Sequence, residues 1–175
     1  MLDWYETVFE LIDLRSFSNL WYWIALAVVW SSASHYVLGV PYDMVARARR
    51  YGGEAEDDLR DIVRVNVNRI IYITDLSGLW ILAFGSFALT ALATMGFLYG
   101  VEFAQAVFLL AFPLSIVLAL TIHTARGILQ ADGQDLYPRL SKHRFITQVI
   151  GMISIFITSI WGMLQNMALG PWGGF

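Results

Sequence analysis

Four stretches of this chain run for about 20 residues or more without a Lys, Arg, Asp or Glu, the length that carries a helix across roughly 30 Å of hydrocarbon. The first spans Leu20 to Val40, inside a charge-free window from Ser16 to Tyr42. The second is Leu76 to Val101, between Asp75 and Glu102, and the third is Phe103 to Ala125, between Glu102 and Arg126. The fourth follows Arg144 and continues to about Asn166, with no charged side chain after it. Backbone amides in lipid must be satisfied within their own segment, so these spans are expected as helices and not strands. The reading is an all-α polytopic membrane protein forming one domain over 1–175. Its four transmembrane helices lie near 20–40, 76–101, 103–125 and 145–166, with cytoplasmic loops over 41–75 and 126–144.

Composition agrees. Hydrophobic residues make up 58% and charged residues 14% of 175, where a soluble domain carries about 25% charge. That balance excludes a disordered chain, a nucleic-acid binder with a basic face and most cytosolic enzymes. There is no Cys, which excludes disulfides, thiolate zinc sites, Cys-ligated iron–sulfur clusters and cysteine nucleophiles.

Cations give the orientation. Arg47, Arg49, Arg50, Arg60, Arg64 and Arg69 follow the first span, and Arg126, Arg139, Lys142 and Arg144 follow the third. Ten of the 11 Lys and Arg therefore fall in two loops on one side, which the positive-inside rule assigns to the cytoplasm. Both termini are then expected in the periplasm of a bacterial inner membrane. The acidic start of the chain (Asp3, Glu6, Glu10, Asp13) is unlike the basic opening of a cleavable signal, so the first span is expected to act as an uncleaved anchor.

Residues 3–14 predict an amphipathic interfacial helix. Trp4, Tyr5, Val8, Phe9 and Ile12 share one face and the four acids the other. It either floats passively at headgroup depth or docks another outward-facing subunit. Trp21, Tyr22 and Trp23 form an aromatic belt at the outer end of the first span. In the first loop, Leu59, Ile62, Val63 and Asn66 recur at helical spacing and predict a helix running into the second span. Small residues mark two spans: Gly85, Ser86, Gly96 and Gly100 on the second, and Gly151, Ser154, Thr158 and Gly162 on the fourth. Such stripes allow close helix approach in lipid. Pro113 is expected to kink the third span. Each half of the chain has an entering span, a basic loop and a returning span, a plan that hints at a repeated hairpin.

Ionisable residues at membrane depth are the functional candidates. His35 is placed about five residues, roughly 7 Å, inside the inner end of the first span. Asp75, His123 and Arg126 sit at the inner ends of the second and third spans, and His143 opens the fourth. Three readings fit these groups. His35 and His123 could be the axial ligands of a b-type haem; His35, Asp75 and His123 could pass protons or ions; or the polar cluster His35, Asp75, His123 and Arg126 fixes helix register at the interface. Aromatic residues could stack on a pigment, and lipid could lie between spans. Sequence signatures of a catalytic serine, zinc protease or phosphate loop are missing, and Asp132-Gly133-Gln134-Asp135 reads as a turn. No metal site is expected.

Several segments carry a resemblance: Trp4-Tyr5 through Val8-Phe9-Glu10-Leu11-Ile12-Asp13, Arg15 through Trp23, Val40-Pro41-Tyr42-Asp43-Met44, Tyr99 through Gln105, and Gln148 through Ser154. They are similar to a family of small four-helix inner-membrane proteins of Rhodobacter-type alphaproteobacteria, whose members are often labelled as a component of the Suf iron–sulfur assembly complex. The resemblance implies membrane residence and a bacterial inner membrane. Small size, aromatic-rich spans and an acidic outer helix suited to contacts together suggest a non-catalytic accessory or assembly subunit, respiratory or photosynthetic, with other integral membrane subunits as partners. The alternative is a haem or proton/ion-transport protein using His35, Asp75 and His123.

Overall fold

A computed structural model describes residues 16–131 and 133–168. The helix expected over 3–14, with its docking face Trp4, Tyr5, Val8, Phe9 and Ile12, lies outside the described residues. After a 3-10 turn at Ser16–Ser18 come α1 (Leu20–His35), a two-stranded hairpin of β1 (Tyr36–Val37) and β2 (Val40–Pro41), α2 (Tyr42–Tyr51), α3 (Glu54–Ala93), α4 (Glu102–Gln130) and α5 (Leu136–Ala168). Among the described residues, three helices are long and apolar enough to cross a membrane: Glu54–Leu98, which is α3 with the turn that follows it, Glu102–Gln130 and Leu136–Met167.

α1 starts where the Asn19 side chain accepts from the Trp21 backbone N–H at 3.0 Å, satisfying a donor that has no partner inside the helix. It stops at His35 after 16 residues, about 24 Å. The helix expected to continue to 40 gives way to the hairpin, in which Tyr36 pairs with Pro41 and Val37 with Val40. Leu38 and Gly39 have φ of 53° and 76°, and positive φ at both central positions is the turn whose twist suits a two-residue hairpin. A leucine resists that conformation. Here its side chain is buried with Val37 and Val40, and that burial offsets the strain.

The best-packed core gathers at the arginine-rich end. Val45 and Ala48 of α2, Leu59, Val63 and Val67 of α3, Ala125 and Ile128 of α4, and Leu136 and Leu140 of α5 close around the hairpin. Gly52 and Gly53 at φ 61° and 55° let α2 reverse directly into α3. The regions read as loops are therefore mostly helical. The amphipathic stretch after Gly53 and the apolar stretch after Asp75 are one helix of 40 residues. The turn between α4 and α5 is reduced to residues 131–135.

At its far end α3 widens into a π-helical turn, Thr94–Leu98. Gly96 is obligatory there, because a Cβ would lie 2.9 Å from the Gln105 backbone nitrogen. α4 runs on through Pro113. Proline supplies no N–H to the carbonyl four residues earlier, that of Leu109, and the Ser154 hydroxyl of α5 donates to that oxygen at 3.4 Å. α5 also packs on α1: a Cβ on Gly151 would come within 2.8 Å of Trp30, and one on Gly162 within 3.2 Å of Phe17.

Candidate functional site: a groove between α3 and α4

α3 and α4 touch at both ends, through Val67 and Ile128 in the core and through Gly96 and Gln105 at the far turn. Between these contacts a groove of about 800 Å³ opens. α3 lines it with Gly78, Leu82, Gly85 and Ser86, and α4 with Ser115, Leu118, Ala119 and Ile122. Among the described residues, nothing lies within 4 Å of where a Gly85 Cβ would be. Only 6% of the most apolar part of α3 is buried, against 28% for α5.

The arginine-proximal end of the groove holds Asp75, His123 and Arg126, so three of the four ionisable candidates do meet. Asp75 Oδ1 lies 3.8 Å from Arg126 Nη2, and both side chains are more than half exposed. That separation is an ion pair without a hydrogen bond. Thr74 beside them is occupied, its hydroxyl donating to the Ile70 carbonyl at 2.7 Å.

His35 is the fourth candidate and stands apart. Because α1 ends at this residue, the imidazole is not buried a turn and a half inside a span. It is an exposed terminal group, with Nε2 4.0 Å from Asp43 Oδ1 and its ring edge-on to Tyr36. It does not line the groove that contains His123. Among the described residues no group of three or more His, Asp or Glu is arranged to hold a metal ion.

His143 lies between α4 and α5, almost fully buried, with Nδ1 3.1 Å from Thr124 Oγ1. The Thr124 hydroxyl proton already goes to the Leu120 carbonyl at 2.8 Å. With that bond made, the imidazole donates to Thr124 Oγ1 from Nδ1.

Sequence reasoning missed the polar centre at the opposite end. Gln105 is buried in α4; its amide donates to the Gly96 carbonyl at 2.8 Å. Its side-chain oxygen accepts from Trp161 Nε1 at 2.9 Å and from Gln165 Nε2 at 3.0 Å. A glutamine three residues into an apolar span was the available signal, since an amide at that depth needs partners. Glu102 is likewise engaged, accepting from the Phe17 backbone N–H at 2.8 Å, and Ser18 donates to Asn166 at 2.6 Å. These bonds strap the start of the described chain across the ends of α4 and α5.

The site is thus an apolar groove closed by an Asp–Arg pair, without a nucleophile–base pair or a metal cluster among the described residues. Comparison with protein-family models, with curated proteins and with solved structures returns no match.

Proposed function

We propose that the chain is a non-catalytic accessory or assembly subunit of a larger complex in a bacterial inner membrane, and that the groove between α3 and α4 receives a transmembrane helix of another subunit. The reading takes α1 as a short fourth span, anchored by Trp21, Tyr22 and Trp23 at one end and by the hairpin at the other. It places the arginine-rich end in the cytoplasm and both termini in the periplasm, following the cation distribution. A periplasm-active reporter fused after Phe175 is expected to be active; an inactive fusion would reverse the orientation.

The open space over Gly85 supports the reading most. Glycine costs a helix interior about 1 kcal/mol relative to alanine, and in a membrane that cost is normally offset by close helix approach. Gly151 and Gly96 make such approaches within the chain, and Gly85 makes none among the described residues. Ser86 and Ala119 line the same groove, and no helix among the described residues fills it.

Purification in mild detergent tests the proposal. The expected result is a second integral membrane protein that co-purifies with the wild type and is lost from Gly85→Leu. A colourless closed homo-oligomer alone would count against it. So would a haem Soret band that disappears in His35→Ala, which would favour the redox alternative.

A further inference from the structure

On the adjoining face of α4, with His123 between the two, a second depression of about 340 Å³ lies where its last turns meet the first turns of α5. Its rim is cationic, formed by Arg139 and Lys142, and its wall includes Leu120 and Ile146. The Arg139 side chain crosses to α4 and rests against Gly127, with Nη1 2.7 Å from where a Cβ would stand. A glycine at 127 is what admits the guanidinium.

Neither cation is neutralised among the described residues. The ion pairs found there engage His35, Arg60, Arg64 and Arg126, but not Arg139 or Lys142. Arg139 Nε is buried without a hydrogen-bond partner, which leaves the terminal nitrogens of the guanidinium to meet an anion. Capping of the α4 carbonyls would explain the guanidinium, yet no described hydrogen bond from Arg139 reaches them. The surrounding segment from Arg126 to Arg144 carries four cations against two carboxylates, so the local field favours an anion.

The position selects the anion's class. The cations stand at the boundary where the apolar part of α5 begins, and Leu120 and Ile146 lead from them along the apolar length of the helices. A charged rim over an apolar wall matches an amphiphile, and basic pockets between transmembrane helices on the cytoplasmic side suit anionic headgroups. We propose that this depression binds an anionic phospholipid. Its headgroup phosphate lies between the Arg139 guanidinium and the Lys142 ammonium, and an acyl chain follows Leu120 and Ile146. The site depends on membrane residence, and it shares only His123 with the lining of the α3–α4 groove.

Native mass spectrometry of the detergent-solubilised full chain tests this with phosphatidylglycerol and phosphatidylcholine of identical acyl chains. Phosphatidylglycerol is expected to be retained preferentially. Arg139→Gln with Lys142→Gln should weaken it by about 30-fold, and Lys142→Gln alone by about fivefold, from roughly 1 kcal/mol per cation. Lys142 is exposed, so the single variant keeps the test alive if the double variant fails to fold. Arg47→Gln with Arg50→Gln removes equal charge elsewhere at the arginine-rich end and should leave retention unchanged. Equal retention of both lipids, or equal loss in both double variants, would overturn the proposal in favour of diffuse attraction. Displacement of the lipid by millimolar inorganic phosphate would overturn the lipid assignment in favour of a soluble phosphate.

Discussion

The glycines of this chain's two small-residue stripes have different fates: Gly96, like those of α5, is closely packed, and Gly85 is not. On α5, Gly151 sits under Trp30, Gly162 under Phe17 and Trp23, and Ser154 completes the hydrogen bonding of the proline-interrupted helix α4. On α3, Gly85 faces open space and the neighbouring surface lines a groove. The same kind of sequence pattern serves internal packing in one helix and leaves an unfilled surface in the other. What separates them is the presence of large complementary side chains: Trp30 and Phe17 meet the α5 glycines, and among the described residues no counterpart meets Gly85.

Substitutions at the two stripes should therefore diverge. Gly151→Leu forces atoms into Trp30 and is expected to destabilise the isolated protein most, by about 3 kcal/mol, read as a lowered denaturation midpoint in detergent. Gln105→Leu comes next, at about 2 kcal/mol, because it strands the Trp161 indole N–H and the Gly96 carbonyl. Ser154→Ala leaves the Leu109 carbonyl without a donor and should cost about 1 kcal/mol. A matching loss in a Pro113→Ala background would break that explanation, since the restored N–H of residue 113 makes the serine dispensable. Gly85→Leu should leave the denaturation midpoint of the isolated chain almost unchanged. Destabilisation comparable to Gly151→Leu would show that the α3 stripe is filled internally after all.

The arginine-rich end invites a smaller test. Arg144 lies over the Tyr42 ring, 3.8 Å from its centroid, and the Tyr42 hydroxyl meets Ser141 Oγ at 3.3 Å. The Ser141 hydrogen bond, then the Arg144 guanidinium, hold the phenol below its ordinary pKa. Tyr42→Phe keeps the stacked cation and loses only the hydroxyl contact, so about 0.5 kcal/mol is expected; Tyr42→Ala should cost more through the lost cation–π contact.

Much of the helical plan was legible because charge is scarce. The charge-free windows after Asp75, Glu102 and Arg144 fall in the three helices long enough to cross a membrane. Boundaries were less legible. Tyr36 to Val40 is as apolar as the helix before it, and only the paired positive φ of Leu38 and Gly39 shows that the chain turns there. Apolar content records what is kept from water, and both a membrane span and a buried hairpin satisfy that. The hairpin puts His35 at the exposed end of α1 and not within a longer helix. Asp75, His123 and Arg126 could be grouped from sequence because each lies at the same end of its apolar stretch. The groove beside them could not, since it depends on how far two helices separate between their contacts.

The central claim is that another membrane subunit fills the space over Gly85. The most direct measurement places a photoreactive side chain at Leu82, which lines the groove, and irradiates native membranes. The expected result is a crosslink to a different integral membrane protein, lost when Gly85→Leu is added. Adducts with lipid alone, or only with a second copy of this chain, would contradict it.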